Sequence, residues 1–452
     1  MLKELSFRNF KSWQEIKDMR FAPITGLFGT NSSGKTSILQ FLLMLKQTVE
    51  STDFSQVLNF GEEGNLVALG TFGDVIHGRE QSSSLSWAMK WLLPSPLKIS
   101  VHMGEASKVY LEGHEIEFKA EVASNTGGKL RVNYLKYRLE DDEVGMEHKP
   151  ETLGKYKLFA KSGKFKFTRI RGRAWPLPPP NKFHGFPHEV TSHYQNAGFL
   201  WNLQFVYERM FHHIYYLRPL RENPRHQYTW AGAKPDDVGQ RGEKAIDALL
   251  ASGQTKISRG KGRPKLTLEE YVAYWLKQLG LIHEFHVKPI AQNSNLYEVW
   301  VQKNPGGASV RITDVGFGVS QILPVLVLCY YSPKRSIVLL EQPEIHLHPS
   351  AQSGLADVFI DAIKTRKIQI ILESHSEHLL RRLQRRIAEE QFSKDDIALY
   401  FCDIKHGVSQ LKPLELDLLG NITNWPKDFF GDSFGEIAAT AKAGIKRQGE
   451  QL

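Results

Sequence analysis

The sequence predicts an α/β fold of the P-loop NTPase type, into which an antiparallel β lobe and a helical segment are inserted. Three observations support this fold class. Residues 29–36 fit the phosphate-binding pattern G-x-x-x-x-G-K-[ST]. Two later apolar stretches, at residues 336–344 and 368–376, each end in polar residues, as strands beside a phosphate site do. Between the phosphate-binding pattern and these two stretches, apolar and polar residues alternate over a long region, which is typical of half-buried antiparallel strands.

The amino-acid composition limits the classes of protein to which this chain can belong. The 452 residues are 41% hydrophobic and 24% charged, which is ordinary for a globular protein with room for two lobes. The net charge of +9 permits a polyanionic partner without requiring one. Two cysteines, Cys329 and Cys402, exclude a disulfide framework. The sequence starts without a signal pattern and has no apolar run long enough to span a bilayer, so we expect a cytoplasmic protein that makes no membrane contact.

The phosphate-binding pattern lies between a predicted strand, residues 22–28, and a predicted amphipathic helix, which is the context that the motif needs. Its glycines let backbone N–H groups approach a phosphate, and the helix N-terminus adds partial positive charge. We expect Lys35 to reach the β- and γ-phosphates of ATP and the Thr36 hydroxyl to bind Mg²⁺. The predicted nucleotide-binding residues of this loop are Gly29, Thr30, Asn31, Ser32, Ser33, Gly34, Lys35, Thr36 and Ser37.

The remaining elements follow from periodicity. Residues 2–10 alternate loosely and predict a first strand before the phosphate loop. From residue 84 to about residue 137 the period is two, which predicts an antiparallel sheet inserted after the phosphate-loop helix. Residues 199–214 and 266–279 are predicted helices, and residues 214–217 a strand.

Three basic stretches leave two interpretations open. Residues 154–173 hold lysines and arginines interleaved with aromatic side chains, which fits either strands with solvated lysines or a surface where bases stack. The Gly/Lys/Arg segment 253–265 is a solvated loop or a contact to DNA phosphates. A later helix presents four arginines that form a solvated face or a DNA site. These four are Arg381, Arg382, Arg385 and Arg386.

A second group of motifs completes the phosphate site. The apolar stretch from residue 336 ends in Glu341, and an acid after a buried strand beside a P-loop is the pattern that holds Mg²⁺. The next apolar stretch ends in a Ser-His-Ser sequence centred on His375. Before both, residues 314–321 form a glycine-containing turn that opens an apolar helix.

In this order the motifs resemble those of ABC-type ATPase heads of the SMC and RecF class. Within that class they resemble the ATPase part of OLD (overcoming lysogenization defect) proteins and related bacterial anti-phage AAA ATPases. The likeness covers about residues 1–45 and 310–405, and more weakly residues 213–245. It implies that residues 29–36 are the Walker A motif and that residues 347–349 are the D-loop. It also implies that Glu341 is the Walker B acid and His375 the switch histidine.

The resemblance also implies contacts that involve a second subunit. Residues 316–321 take the place of the ABC signature, which in this class contacts the γ-phosphate bound by the opposite subunit. Gly318, Ser320 and Gln321 are the residues implied to make that contact. Lys11 lies in a segment that resembles the N-terminal loop of SMC-like heads that meets the nucleotide. The segment that begins at Trp425 resembles the C-terminal part of a bacterial subgroup of unknown function.

One departure from the family pattern concerns catalysis. The family has Asp-Glu-Pro, where the glutamate is the general base, and this chain has Glu341, Gln342 and Pro343. A positioned base contributes roughly 10²–10⁴-fold, so we expect slow hydrolysis. Two residues offer a way to keep hydrolysis: Gln342 orients the attacking water, or Glu344, about 6.6 Å farther along an extended segment, acts as the base through a water. The alternative for Glu344 is an ion pair with a nearby arginine or histidine. The predicted catalytic residues are Glu341, Gln342, Glu344 and His375, and the predicted magnesium ligands are Thr36 and Glu341.

Two further patterns argue against other chemistry. His346 and His348 lie near acids, but their place in the D-loop turn disfavours metal binding. OLD proteins carry a Toprim nuclease domain after the ATPase, whereas only about 77 residues follow His375 here. That tail has no D-x-D pair, and Asp403 stands alone, so we expect no intrinsic nuclease.

Together these inferences predict an ATPase that uses ATP and Mg²⁺ and forms a homodimer or higher homo-oligomer through its ATP sites. By resemblance it controls a separate effector encoded nearby, a nuclease or toxin, in bacterial anti-phage defence. The alternative is a RecF-like clamp that binds DNA in repair or chromosome maintenance; a transporter ATPase is disfavoured. The predicted division is an N-terminal ATPase part, an inserted β and helical region, a C-terminal ATPase part and a tail, over residues 1–80, 81–300, 301–415 and 416–452.

Overall fold

A computed structural model describes residues 1–80, 83–103, 106–125, 127–149, 155–161, 166–172, 176–260, 262–426, 429, 439–443 and 447. Its strands are β1 (Leu2–Phe10), β2 (Trp13–Arg20), β3 (Ile24–Gly29), β4 (Ser84–Met103), β5 (Ala106–Ser124), β6 (Leu130–Leu139), β7 (Asp142–His148), β8 (Tyr156–Lys161), β9 (Ile214–Leu217), β10 (Tyr228–Thr229), β11 (Lys256–Ile257), β12 (Leu266–Thr267), β13 (Glu284–Pro289), β14 (Leu296–Gln302), β15 (Ser309–Arg311), β16 (Ile337–Glu341), β17 (Gln369–Glu373), β18 (Ile397–Lys405) and β19 (Val408–Leu414). Its α-helices are α1 (Lys35–Glu50), α2 (Phe72–Val75), α3 (Glu189–His193), α4 (Leu200–His212), α5 (Ala245–Ser252), α6 (Leu268–Gln278), α7 (Phe317–Tyr331), α8 (Pro349–Arg366) and α9 (Glu377–Ala388).

The strand that precedes the P-loop (residues 29–36) lies inside a six-stranded sheet, here called the core sheet. Its order is β19-β18-β3-β17-β16-β9. All neighbours are parallel except β19, which pairs antiparallel with β18. Because parallel strands end at the same edge, the P-loop after β3 shares that edge with the last residues of β17 and β16.

An antiparallel sheet of seven strands, here called the lobe, packs beside the core sheet. Its order is β2-β1-β4-β5-β6-β7-β8, which confirms the predicted antiparallel insertion and extends it to Lys161. The sequence did not predict that the N-terminal hairpin β1–β2 belongs to the lobe. The hairpin joins it because β1 pairs antiparallel with β4. Its apolar face meets the P-loop helix, where the rings of Phe7 and Phe41 stack with centroids 4.6 Å apart.

Two apolar cores lie on opposite faces of the core sheet. Leu339 and Ile371 face the core shared with the lobe, α1 and α4. Leu340 and Leu372, their neighbours in sequence, face the core formed with the helices α5 to α9. A parallel strand covered on both faces is apolar throughout, which explains the unbroken apolar runs at β16 and β17.

The predicted helices and strands agree with the structure to within a few residues at their ends. Helix α6 starts at a capping box, in which the Thr267 side chain accepts from the Glu270 N–H and the Glu270 side chain accepts from the Thr267 N–H. Helix α7 and the P-loop helix α1 occur where the motifs predict helices. The strand predicted over residues 336–344 ends earlier, at Glu341. Strand β9 lies in the core sheet although its sequence falls within the predicted inserted region, residues 81–300. The division of the chain into four ranges stays a prediction.

No helix among the described residues is long and apolar enough to cross a bilayer.

Candidate nucleotide-binding site

The P-loop backbone adopts conformations that only glycine tolerates at two positions. Gly29 has φ 131°, and a Cβ atom there would lie 2.0 Å from the Cys402 carbonyl oxygen. Gly34 caps the N-terminus of α1 with φ 91°, and a Cβ atom there would lie 2.7 Å from Trp13 Nε1. The two glycines of the motif therefore let the loop fit against its neighbours as well as against a phosphate.

The turn of the N-terminal hairpin braces the P-loop. Trp13 Nε1 donates to the Gly34 carbonyl oxygen over 3.0 Å. The Ser409 hydroxyl donates to Ser12 Oγ over 2.7 Å. Lys11, predicted to meet the nucleotide, has its Nζ bonded to Gln40 on α1, and burial lowers its pKa. The structure thus brings this turn to the side of the P-loop helix.

Lys35 is already held inside the P-loop. Its side chain is buried, and Nζ donates to the carbonyl oxygens of Thr30 and Gly29 over 2.6 and 3.1 Å. Burial lowers the pKa of Lys35, while the charge of Glu373 acts in the opposite direction. The ammonium group is therefore oriented by the loop that would surround a phosphate.

Thr36 contacts an acid that the sequence analysis did not single out. The Thr36 hydroxyl donates to Glu373 Oε2 over 2.7 Å. Glu373 is the last residue of β17 and is buried, and burial raises its pKa. The available signal was the acid at the end of the apolar run, the same signal that identified Glu341.

Glu341 lies on the far side of β17 from the P-loop. It pairs in register with Glu373 on the neighbouring strand. Its Oε1 accepts a hydrogen bond of 2.6 Å from the Tyr216 hydroxyl on β9. Burial raises the pKa of Glu341 to about 7. Thr36 and Glu341, the two predicted magnesium ligands, are thus on the same edge, but the acid that contacts Thr36 is Glu373.

The segment after Glu341 is a turn, so the expectation of an extended segment between Glu341 and Glu344 is wrong. Gln342 has φ 42°, and its N–H donates to the Glu373 carbonyl oxygen over 2.8 Å. The positive φ and the following proline end the strand and turn the chain back. As a result Glu344 is folded against the end of β17.

Glu344 is buried beside His375. Its Oε1 accepts from the Ser374 hydroxyl over 2.8 Å and from the His375 N–H over 2.7 Å. Its Oε2 is buried and has no hydrogen-bond partner among the described residues. Burial raises the pKa of Glu344. A buried carboxylate oxygen without a partner is costly, which favours a role for it when a ligand is bound.

A buried arginine supports this turn. Arg221 Nη1 donates to the carbonyl oxygens of Pro219 and Glu341. Its Nε and Nη2 have no partner in the part of the chain that the structure describes. Burial lowers the pKa of Arg221 to about 10, against the charges of Glu344 and Glu341. From the sequence, residues 218–225 are a polar turn expected to face the nucleotide or the catalytic interface, within the weakly matching segment, and Arg221 is one of them.

His375 lies at the start of the loop that follows β17. His375 is an exposed residue. Partial burial of its imidazole and, to a smaller extent, the charge of Lys35 lower its pKa. Its backbone N–H holds Glu344, as described above. The structure therefore brings together His375, Glu344, Glu373 and the P-loop.

The predicted signature residues open helix α7. Phe317 at the helix start is 63% exposed, whereas Ser320 and Gln321 are buried. The Ser320 hydroxyl donates to the Phe317 carbonyl oxygen over 2.9 Å, inside its own helix. Gly318 packs on the turn that leads into the predicted D-loop, since a Cβ atom there would lie 3.4 Å from the His346 carbonyl oxygen. The surface that this segment presents is therefore the helix start at residues 316–318.

The two histidines of the predicted D-loop turn make contacts within the fold. His348 caps helix α8, and its Nδ1 accepts from the Ser350 N–H over 3.3 Å. His346 has its ring 6.4 Å from that of Phe317. In the described ranges no group of three or more His, Cys, Asp or Glu side chains is arranged to hold a metal ion.

The four arginines of α9 each have an intrachain acidic partner. Arg382 and Arg386 both contact Asp357. Arg381 pairs with Glu377, and Arg385 with Glu389. These pairs favour the interpretation of this helix as an ion-paired, solvated face.

The basic stretches 154–173 and 253–265 also have contacts typical of a solvated protein surface. In β8 Tyr156 and Leu158 are buried, while Lys157 and Lys161 are exposed, which favours the strand interpretation. In the second stretch the Arg259 guanidinium lies 4.0 Å from the ring centroid of Tyr274. Among the basic and aromatic residues of these stretches, Lys164, Phe165, Arg173 and Lys261 lie outside the described residues.

Three family models match parts of the chain. A model described as an AAA ATPase domain matches residues 1–176, which include the P-loop. A model described as an AAA domain, putative AbiEii toxin, Type IV TA system, matches residues 218–381, which include Glu341 and His375. A model described as a protein of unknown function (DUF3696) matches residues 393–439. The first two matches, together with the P-loop, identify an ATPase of the P-loop class; no curated protein matches the chain.

Solved structures of SMC heads align with most of the chain at low identity. The SMC head domain from Thermotoga maritima is 13% identical, with 92% of this chain and 99% of that chain covered and a TM-score of 0.42. The SmcHead bound to the C-winged helix domain of ScpA is 11% identical, with 92% and 98% covered and a TM-score of 0.45. The Smc head domain with an extended coiled coil bound to the C-terminal domain of ScpA from Pyrococcus furiosus is 10% identical, with 92% and 96% covered and a TM-score of 0.41.

Proposed function

We propose that the chain is an SMC- or RecF-like switch ATPase, related to OLD proteins, that binds ATP with Mg²⁺ and hydrolyses it slowly. It dimerises around ATP and controls a separate effector, a nuclease or toxin, in bacterial anti-phage defence. The observation that carries the proposal is the P-loop, in which Lys35 is held by loop carbonyls and Thr36 lies beside a buried acid. Each part of this arrangement suits a triphosphate with its metal ion.

The residues present fit the nucleotide and the ion. Lys35 supplies a cation to the phosphates, and the N-terminus of α1 supplies N–H groups and partial positive charge. The Thr36 hydroxyl and a neighbouring carboxylate are oxygen donors, the type that Mg²⁺ prefers. When bound, Mg²⁺ neutralises the charge that develops on the phosphate oxygens.

Hydrolysis needs a group that accepts a proton from water. The amide of Gln342 cannot accept it, whereas Glu344 Oε2 is a carboxylate oxygen that has no hydrogen-bond partner among the described residues and lies near the predicted switch histidine. In the proposed step the water oxygen bonds to the γ-phosphorus and the bond to the β–γ bridging oxygen breaks. The proton passes to Glu344, and ADP and phosphate leave. Gln342 orients the water, and its inability to act as a base keeps the rate low.

The test is a comparison of ATP turnover and ATP binding in variants of this turn. Glu344→Gln is expected to lower kcat by about 10²-fold or more with little change in the Kd for a fluorescent ATP analogue. Gln342→Glu is expected to raise kcat. Glu377→Gln, on the exposed face of α9, is the matched control. Turnover that survives Glu344→Gln unchanged contradicts the assignment of the base.

The effector role draws on two further observations. Phe317 is exposed at the start of α7, the segment assigned to the contact with a second subunit. The family model that matches residues 218–381 is described as a putative AbiEii toxin of a type IV toxin–antitoxin system, which supports a place for this ATPase in a system of that kind. ATP bound between two subunits favours the closed form, and hydrolysis releases it.

The second candidate function is a RecF-like DNA clamp. It is favoured by the net charge of +9 and by exposed basic side chains near β8, such as Lys157 and Lys166. Duplex DNA binding that weakens steeply with salt, and that is lost when Lys155, Lys157 and Lys166 are changed to glutamine, would support it. Binding that is absent at low salt would exclude it.

A further inference from the structure

We propose that Glu373 is the carboxylate that binds the magnesium ion of the bound nucleotide, the role for which the sequence motif predicts Glu341. The inference rests on the proposed function, because it concerns the same ATP site. It differs in assigning the metal contact to the end of β17, where the motif assigns it to the end of β16.

The order of the strands puts Glu373 closer to the P-loop. Strand β17 pairs directly with β3, and Glu373 lies in register with Leu27, two residues before Gly29. Strand β16 is the next strand along, and Glu341 is in register with Glu373. Since neighbouring strands are about 4.8 Å apart, the backbone of Glu341 lies about one strand spacing farther from the P-loop strand.

Direct contacts agree with this placement. The Thr36 hydroxyl donates its proton to Glu373 Oε2 over 2.7 Å, which leaves its oxygen lone pairs available to a cation. Glu373 is 4% exposed, and Lys35 lies close enough for its charge to act on Glu373. A divalent ion bound at Thr36 would therefore meet Glu373 directly or through one of its own waters.

Glu341 is engaged on the opposite side. Its Oε1 accepts from the Tyr216 hydroxyl over 2.6 Å, and Tyr216 lies on β9 at the edge of the core sheet. Arg221 donates to the Glu341 backbone carbonyl oxygen over 3.2 Å. These bonds hold Glu341 toward β9 and Arg221, which assigns it to supporting the turn after β16.

The test separates metal binding from nucleotide binding. The Kd of a methylanthraniloyl-ATP analogue is measured by fluorescence in EDTA and in Mg²⁺, for the wild type, Glu373→Gln and the matched variant Glu341→Gln. Glutamine at position 373 can still accept the hydrogen bond from Thr36, so this change removes the charge and not the acceptor. Electron paramagnetic resonance of Mn²⁺ with ATP gives a second readout that does not depend on turnover.

We expect the wild type to bind the analogue in EDTA and to bind it more tightly in Mg²⁺. Glu373→Gln should keep the EDTA affinity and lose about 10- to 100-fold of the metal affinity, whereas Glu341→Gln should retain it. Loss in Glu341→Gln alone, equal loss in both variants, or loss in neither would overturn the assignment while ATP binding still stood. Failure of the wild type to bind the analogue would instead overturn the proposed function.

Glu373→Asp guards against misfolding of the glutamine variant. It keeps the charge but shortens the side chain, so it should fold and retain part of the metal-dependent tightening. If Glu373→Gln is folded by circular dichroism and Mg²⁺ tightens its binding of the analogue as much as in the wild type, the charge at this position is not needed, and the assignment of a metal-binding carboxylate fails.

Discussion

At the scale of single residues, the site is organised by two acids that end adjacent strands. Glu373 contacts the P-loop through Thr36, and Glu341 contacts Tyr216 on the other side. The two have the same local sequence context, an apolar strand followed by a polar turn. Their different partners arise because one strand lies next to β3 and the other lies one position farther.

Trp13 provides a test of how the hairpin supports nucleotide binding. Trp13→Phe removes the N–H donor to the Gly34 carbonyl oxygen and keeps most of the ring. A single hydrogen bond contributes about 0.5–1.5 kcal/mol, so we expect ATP affinity to fall about two- to tenfold. The measurement is the Kd of a fluorescent ATP analogue by titration.

Trp91→Phe is the control for this change. Trp91 is also buried in the lobe, and its Nε1 has no hydrogen-bond partner among the described residues. We expect it to leave the Kd unchanged. Equal losses in both variants would show that ring packing, and not the bond to Gly34, accounts for the effect.

At the scale of elements, a buried side chain, that of Gln369, links the lobe and the core sheet. Gln369 at the start of β17 accepts from the Leu2 N–H over 2.9 Å. Its Nε2 donates to the carbonyl oxygens of Leu2 and Ala22 over 2.8 and 3.0 Å. The amide thus pairs with backbone groups at the start of β1 and in the chain before β3 together.

Gln369→Leu should destabilise the protein. Three buried backbone groups would each lose a hydrogen bond, and we expect the free energy of unfolding to fall by about 2–5 kcal/mol. Urea unfolding followed by circular dichroism measures this change. Gln410→Leu, on an exposed position of β19, is the control and should have little effect. A loss below about 1 kcal/mol for Gln369→Leu would show that solvent replaces these bonds.

The lobe contains a buried histidine that should make it sensitive to acid. His184 is fully buried with Nε2 bonded to Glu208, and burial lowers its pKa. Below about pH 6.5 the folded state therefore binds fewer protons than the unfolded state does. The free energy of unfolding of the protein consequently decreases as the pH falls.

We expect the wild type to lose more stability between pH 7.5 and pH 5.5 than His184→Asn does. Urea midpoints at the two pH values measure the difference, and His188→Asn, at an exposed histidine next in the chain, is the control. The same pH dependence in wild type and His184→Asn would show that another group causes it.

At the scale of the molecule, the site is assembled from distant parts of the chain. Helix α1 and the hairpin come from the N-terminal part, and the acids and His375 come from the C-terminal part, which the core sheet brings together. The lobe packs on the P-loop helix, and the helices α5 to α9 pack on the opposite face.

The proposed dimer gives a prediction at this scale. ATP with Mg²⁺ should shift the wild type to a larger sedimentation coefficient, because the nucleotide lies between two subunits. Lys35→Ala should not shift, since its phosphate contact is lost, while Lys17→Ala, on the exposed face of β2, should behave as the wild type. Sedimentation that is the same with and without ATP would contradict dimerisation around the nucleotide.

The sequence by itself determined the P-loop fold class and the antiparallel lobe. It also determined the positions of β3, β16 and β17, because motif spacing and apolar periodicity are local properties of the chain. It misjudged the segment after Glu341 because Pro343 marks a break in the strand but does not by itself fix the positive φ at Gln342, which turns the chain back.

Only the tertiary structure decided which acid contacts Thr36, since that depends on the order of strands in the core sheet. It likewise decided that the hairpin braces the P-loop and that Arg221 lies beneath the turn after β16. These contacts join residues far apart in sequence, and no local pattern encodes a pairing between strands that the fold alone makes neighbours.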